Sequence, residues 1–131
     1  AAIGVAAARK DGKVLLIEGD GSLLMHIQEL ETARRHGTKF LMAIINDGGY
    51  GAEIHKFRAG NIDAGIVIHG RGDLAGVANG FGVRGQTVSA LGQMGAMFET
   101  HQSGNSASLW DVHTDDTVVS RPYRRIHYGE A

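Results

Sequence analysis

The chain has 131 residues, enough for one globular domain with a single hydrophobic core. Its 13 basic and 14 acidic residues give a formal net charge of −1, so it lacks the excess of positive charge that is typical of nucleic-acid binding. The sequence contains no cysteine, which excludes disulfides and thiolate-bound metals. The most apolar run, residues 40–45, is too short to span a bilayer. We therefore expect a cytoplasmic domain with no nucleic-acid or membrane partner.

The first half of the chain predicts alternating helices and strands. Alanine-rich residues 1–10 predict a helix that ends at the Asp11-Gly12 turn. Residues 14–17 and 40–45 are continuous apolar runs of strand length, as in strands buried on both faces of a parallel sheet. Between them, apolar residues at helical spacing predict a helix over 23–36, with Ser22 as its N-terminal cap.

The second half continues this alternation with shorter elements. Residues 59–72 are rich in glycine and predict a loop with a brief strand at 66–68. Asp73 is a typical cap for the helix that follows it. The predicted helices cover residues 53–57, 74–81 and 91–102, and the predicted strands cover residues 86–89 and 107–112. Alternating helices and strands with short connections indicate an α/β domain with a mainly parallel sheet.

Two glycine-rich motifs directly follow the first two predicted strands. They are Gly19-Asp20-Gly21-Ser22 and Asn46-Asp47-Gly48-Gly49-Tyr50-Gly51. Because ligands bind at the carboxyl ends of parallel strands, we expect Asp20 and Asp47 at one edge of the sheet. A helix N-terminus there would attract a phosphate that Asp20 would repel, and a divalent cation between the two groups reconciles these preferences. Either motif alone is typical of a structural turn, but the pair favours a metal–diphosphate site.

The two motifs, with Gln28-Glu29-Leu30 between them, resemble the diphosphate-binding domain of thiamine-diphosphate enzymes. The resemblance covers nearly the whole chain and is strongest to the acetolactate synthase and 2-oxoacid decarboxylase group. It implies a three-layer α/β/α fold with a mainly parallel sheet. It also implies that residues 1–131 are a single C-terminal domain, truncated on its N-terminal side.

The resemblance further implies the ligands of thiamine diphosphate and Mg²⁺. The metal ligands would be the side chains of Asp20 and Asp47 and the backbone carbonyl of Gly49. The wider cofactor-binding set would be Gly19, Asp20, Gly21, Ser22, Asp47, Gly49, Tyr50 and Gly51. The family usually has Asn at the position of Asp47, so this chain places an additional negative charge beside the diphosphate.

Glu53 is a candidate catalytic residue, because some decarboxylases of the family carry a glutamate at this offset from the second motif. A solvated surface glutamate is the alternative interpretation. The resemblance implies 2-oxo acid substrates, decarboxylation or carboligation, and a homo-oligomer. It also implies a pyrimidine-binding domain, from the same or a neighbouring subunit, that supplies the glutamate activating the cofactor. The chain alone would be inactive. A simple decarboxylase and a non-catalytic Mg²⁺–diphosphate or assembly module remain alternatives.

Other patterns have weaker functional interpretations. His69 could line the same site, although a histidine in a loop usually has no function. Residues 80–85 match the dinucleotide pattern G-x-G-x-x-G, but they follow a helix and precede a strand, the reverse of the required order. Trp110 is expected in the core. A phosphorylated receiver-type domain is not favoured, since the last predicted strand contains no lysine.

Overall fold

A computed structural model describes residues 1–9, 11 and 13–130 of the chain. It contains a four-stranded sheet in the order β1-β2-β4-β3, in which every neighbouring pair is parallel. The strands are β1 Leu15–Gly19, β2 Leu41–Asn46, β3 Arg84–Val88 and β4 Ser108–His113. In this register Gly19 lies opposite Ile45, and Asn46 opposite His113. The polar ends of β1, β2 and β4 therefore meet at one edge.

Helices connect the strands and flank the sheet. Their bounds are α1 Ala2–Arg9, α2 Asp20–Met25, α3 Glu29–Arg35, α4 Gly51–Ala59, α5 Leu74–Gly80, α6 Met94–Ser103 and α7 Arg121–His127. Short 3₁₀ turns cover Gly65–Val67 and Leu91–Gln93. The predicted α/β class with a parallel sheet is confirmed. No helix within the described residues has both the length and the apolarity needed to cross a membrane.

The core is divided between the two faces of the sheet, because successive side chains of a strand point to opposite sides. One cluster joins Met42, Ile44 and Leu109 to residues of α1, α2, α3 and α5. The second cluster joins Leu41 and Trp110 to Val88 and to Met97 of α6. Trp110 is a core residue, as expected. Fully burying a side chain such as Ile44 contributes roughly 1.5–3 kcal/mol, so these contacts hold the sheet between its two helical layers.

The structure corrects the prediction that residues 14–17 form a strand buried on both faces. β1 is an edge strand, and its exposure alternates along its length. The side chains of Leu15 and Ile17 are 57% and 65% exposed, because they point to the face of the second cluster, which includes residues of β2, β3 and β4 but none of β1. The apolar run therefore located the strand correctly but not its position in the sheet.

The predicted helix over residues 23–36 is divided in two. α2 ends at Met25 and α3 begins at Glu29, and tight turns replace the helical bonds between them, with the His26 N–H donating to the Leu23 carbonyl. The prediction that Ser22 is the N-terminal cap is wrong. Gly19 occupies that position in an extended conformation, and the Ser22 hydroxyl donates to Glu18 at 2.5 Å.

Two further segments differ from their predictions, and one prediction is not tested. Residues 66–68 do not form a strand: they belong to a 3₁₀ turn and to one antiparallel bridge between Ile68 and Gly49. α7 was not predicted, although Pro122 in its first turn is a typical helix-start residue. The predicted end of the first helix at Lys10 and the turn residue Gly12 lie outside the described residues.

Candidate functional site

The two glycine-rich motifs are in direct contact at the carboxyl edge of the sheet. Asp20 is the first residue of α2 and is only 2% exposed. Its Oδ2 atom accepts a hydrogen bond of 3.0 Å from the backbone N–H of Gly48 in the second motif. The position of the Asp20 carboxyl group therefore depends on both motifs, because the backbone of one holds the carboxyl group of the other.

Asp47 follows β2 and is partly buried. Its Oδ1 atom accepts a hydrogen bond of 3.1 Å from the Gly49 N–H, which closes a tight turn of the second motif. Burial raises the pKa of Asp47, the Gly49 hydrogen bond opposes that rise, and the negative charge of Asp20 adds to it. The two carboxyl groups are thus close enough for the charge of one to disfavour ionisation of the other.

Glycine is required at several positions of this contact. Gly48 has a φ of +84°, which a side chain would strain. A Cβ atom on Gly21 would lie 2.8 Å from the Tyr50 ring, and one on Gly49 would lie 2.7 Å from the carbonyl oxygen of Val67. One on Gly51 would overlap the Asp47 carboxyl group. The absence of side chains at these glycines therefore lets the two motifs approach each other closely.

The segment 65–71 packs against the second motif. The backbone N–H groups of His69 and Gly70 donate to the carbonyl oxygen of Gly48. The backbone N–H of Tyr50 donates to the carbonyl oxygen of Val67. The rings of Tyr50 and His69 are in edge-to-face contact, with centroids 5.5 Å apart. His69 Nε2 lies 3.8 Å from Asp20 Oδ2, so this histidine is placed beside the candidate metal ligand.

Glu53 lies in the first turn of α4, which begins directly after the second motif. Its side chain is 45% exposed and forms an ion pair of 3.4 Å with Lys56. An exposed pair of this kind contributes little to stability, so it leaves the glutamate free to reorient. Glu53 thus follows the second motif closely along the chain. Among the described residues, it forms no hydrogen bond with the carboxyl groups of Asp20 and Asp47.

Sequence reasoning missed a buried polar pair beneath the second motif. Asn46 and Asp111 are both fully buried, and Asn46 Nδ2 donates to Asp111 Oδ1 at 2.7 Å. The same amide nitrogen donates to the carbonyl oxygen of Arg71 at 3.1 Å. The available signal was an acidic residue inside the mostly apolar run 107–112, since a charge in a central strand needs a buried partner.

The chemistry of the donor set fits a hard divalent cation. Within the described residues no group of three or more His, Cys, Asp and Glu side chains forms a metal cluster. The candidate ligands are instead two carboxyl groups and a backbone carbonyl. The Gly49 oxygen lies 3.8 Å from the position of a Cβ atom on Gly21, so it faces the first motif. Mg²⁺ is usually bound by one or two protein carboxylates together with phosphate oxygens, so this donor set suits it.

Comparison with known proteins agrees with this geometry. Residues 1–112 match the family described as thiamine pyrophosphate enzyme, C-terminal TPP binding domain. A Mycobacterium tuberculosis protein provisionally named as an acetolactate synthase large subunit is 33% identical over 118 residues, which are 89% of this chain and 21% of that protein. The large subunit of acetolactate synthase isozyme 1 from Escherichia coli is 35% identical over 86 residues, 63% of this chain and 15% of its own length.

A solved structure shows the same relationship. The thiamine diphosphate-dependent 4-hydroxybenzoylformate decarboxylase of Rhodococcus jostii superposes with a TM-score of 0.76 at 25% identity, over 87% of this chain and 21% of that one. The chain thus spans about a fifth of the length of such relatives. The sequence match over residues 1–112 and the shared fold together show that the chain belongs to the thiamine pyrophosphate-dependent enzymes and corresponds to their C-terminal, cofactor-binding domain.

Proposed function

We propose that this chain binds the diphosphate group of thiamine diphosphate through Mg²⁺, as one part of an enzyme that acts on 2-oxo acids. The ligands would be the side chains of Asp20 and Asp47 and the carbonyl oxygen of Gly49. The observation that carries the proposal is the contact between the two motifs, in which the Gly48 N–H holds the buried Asp20 carboxyl group.

Electrostatics supports a cation at this edge. Burial and the charge of Asp20 both raise the pKa of Asp47, so the pair is stabilised by a positive charge between its members. A diphosphate would add more negative charge at the same place. A divalent cation coordinated by both carboxyl groups and by phosphate oxygens would offset part of this negative charge.

The reaction itself would depend on chemistry that the cofactor supplies when bound, namely a nucleophilic carbon that attacks a 2-oxo acid and accepts its electrons on decarboxylation. The residues of this chain would anchor and orient that group. Tyr50 and His69, in contact at the second motif, would limit water on one side of the site. The glycines would let backbone groups reach the diphosphate.

Glu53 is the proposed proton-transfer residue. Its place at the start of α4 supports this role, because a titratable group beside the cofactor can deliver a proton to the product. Glu53→Gln should leave the Kd for thiamine diphosphate unchanged and lower kcat by about 10²–10⁴-fold. Glu31→Gln is the matched control, since Glu31 is also a helical glutamate paired with a cation, Arg35. Equal kcat values for the two variants would contradict a catalytic role for Glu53.

The partners that we propose are a pyrimidine-binding domain, from the same or a neighbouring subunit, and further copies of the protein. The exposed apolar side chains of Leu15, Ile17 and Ile45 support association, because such a surface is better covered than left in water. We expect residues 1–131 alone to show no turnover. A simple decarboxylase is the alternative that Glu53 favours, and analysis of the products from pyruvate would distinguish it from a carboligase.

Calorimetric titration of thiamine diphosphate tests the proposal, first with Mg²⁺ and then with EDTA, on residues 1–131 and on the longest natural polypeptide that contains them. Asp20→Ala should abolish metal-dependent binding. Asp73→Ala is the control, because Asp73 also accepts a backbone N–H, that of Gly76, but lies at the start of α5 outside the site. Binding that persists in Asp20→Ala would refute the site. Binding without turnover in the longer polypeptide would favour a non-catalytic module.

A further inference from the structure

The fully buried pair Asn46 and Asp111 connects three segments around the candidate site. Asn46 ends β2 immediately before Asp47, whereas Asp111 lies in β4. The side-chain amide of Asn46 donates to Asp111 at 2.7 Å and to the Arg71 carbonyl at 3.1 Å. The Arg71 guanidinium donates in turn to the carbonyl oxygen of Thr114, just after β4. The two strand ends and the segment 65–71 thus share one hydrogen-bond network.

The orientation of the Asn46 amide follows from its partners. If nitrogen and oxygen were exchanged, two oxygen atoms would face each other across 2.7 Å, so the nitrogen must point at Asp111. Both amide hydrogens are then used, and the buried Oδ1 atom has no hydrogen-bond partner among the described residues. The two amide hydrogens of Asn46 therefore connect β4 to the segment 65–71 directly beside Asp47.

Asp111 also reaches toward solvent through His113. The His113 Nε2 atom lies 3.3 Å from Asp111 Oδ2, and the histidine side chain is 34% exposed at the end of β4. Asp111 thus contacts Asn46 through one carboxyl oxygen and His113 through the other. This places the carboxyl group in the middle of a chain that runs from the surface to the residue before Asp47.

We infer that Asp111 is a positioning residue for the metal–diphosphate site, acting through Asn46. Asp111 fixes the Asn46 side chain, and Asn46 fixes the backbone from which Asp47 and the Gly49 carbonyl project. The Gly48 carbonyl, held by the N–H groups of His69 and Gly70, restrains the same backbone from the other side. Asp111 itself does not touch the metal or the cofactor. This inference rests on the proposed function.

The test measures the Kd for thiamine diphosphate in the presence of Mg²⁺, by calorimetry on the longest natural polypeptide that contains the chain. Asp111→Leu keeps the branched shape and the number of heavy atoms but removes both acceptors. Its Kd should rise about 10–100-fold, the usual effect of losing an outer-shell partner of a metal ligand. Asp111→Asn retains one acceptor oxygen for Asn46 and should recover most of this affinity.

Ser108→Ala is the matched control. Ser108 is also buried in β4, and its hydroxyl forms a hydrogen bond of 3.0 Å with His101 at the opposite end of the strand. The variant should lower the melting temperature without changing the Kd. An equal Kd for Asp111→Leu and Ser108→Ala, measured well below both melting temperatures, would overturn the inference.

A second variant keeps the test decisive if Asp111→Leu does not fold. His113→Leu changes a partly exposed side chain at a strand end and removes one contact of Asp111. Its Kd should rise, by less than that of Asp111→Leu, and an unchanged Kd would overturn the inference. Asp20→Ala separates the two proposals. If it binds normally, the proposed function fails, and if it loses binding while Asp111→Leu and His113→Leu do not, only the positioning role fails.

Discussion

The two ends of β4 each carry a buried polar pair, but the pairs have different surroundings. At the amino end, Ser108 contacts His101 at 3.0 Å. At the carboxyl end, Asp111 contacts Asn46 at 2.7 Å. The first pair is packed between β4 and α6, whereas the second adjoins the two glycine-rich motifs with their carboxyl groups.

The charges at the two ends explain the difference. Burial lowers the pKa of His101, and the nearby charges of Lys39 and Arg84 lower it further, so the amino end holds a neutral pair. At the carboxyl end, burial and Asp20 raise the pKa of Asp47, because two carboxyl groups share a small space. Polar burial alone therefore does not identify a binding site in this protein. The distinguishing feature is the presence of two neighbouring carboxyl groups, Asp20 and Asp47, within the glycine-rich motifs.

The largest expected effect is stabilisation of the protein by its ligand. This effect should depend on the carboxyl end of β4 and not on the amino end. At Mg²⁺ and thiamine diphosphate concentrations near 100 times the Kd, the free energy of unfolding should rise by about 2.7 kcal/mol. Thermal melting with and without ligand measures this increase. Ser108→Ala should begin less stable and gain the same amount, whereas Asp20→Ala should gain nothing. A reduced gain in Ser108→Ala would show that the two ends are coupled.

The carboxyl end was largely predictable from sequence, because apolar runs locate the ends of strands. Residues 14–17 and 40–45 placed Asp20 and Asp47 just after β1 and β2, and parallel strands bring such positions together. The contact between Asp111 and Asn46 was not predictable, since the two residues are 65 positions apart. Their pairing depends on the order of β2 and β4 in the sheet, which periodicity does not reveal.

Two errors have similar physical causes. The exposure of Leu15 and Ile17 follows from the edge position of β1, which depends on strand order rather than on the residues of that strand. The break between α2 and α3 follows from tight turns after Leu23 and His26, although the apolar spacing of 23–36 fits one continuous helix. Local sequence patterns identified the helices and strands, whereas packing determines where each one ends and which others it contacts.

Gly85→Ala should destabilise the structural part of the sheet without affecting ligand binding. Gly85 lies in β3 opposite Leu109, and a Cβ atom there would overlap the backbone carbonyl of Ala75 in α5. Because backbone cannot move aside as a side chain can, the free energy of unfolding should fall by about 1–3 kcal/mol. Chemical denaturation measures the loss. An altered Kd in the folded variant would show that this packing reaches the site.

Gly21→Ala should have the opposite pattern. Its Cβ atom would lie 2.8 Å from the ring of Tyr50, which is partly exposed and can rotate away. Gly21 is buried, but alanine favours a helix over glycine by about 1 kcal/mol, which offsets the cost of moving the ring, so we expect little change in the free energy of unfolding. The Kd for thiamine diphosphate should rise by roughly tenfold, because a methyl group enters the space between the two motifs and costs about 1–2 kcal/mol of binding. Normal affinity in this variant would mean that the ligand does not approach Gly21.

The smallest expected effect is a pH dependence at the amino end. The pKa of His101 is lowered in the folded protein, so the unfolded chain binds a proton first as the pH falls. The stability contributed by neutral His101 is therefore complete above the unfolded pKa of about 6.5 and decreases below it. Denaturation at pH 7.5 and pH 5.5 should show this decrease in the wild type and a smaller one in His101→Gln. The same decrease in both would assign the pH dependence to another group. Asp20→Ala should retain the His101-dependent part of the decrease, because the two sites lie at opposite ends of the sheet and share no hydrogen-bond partner among the described residues.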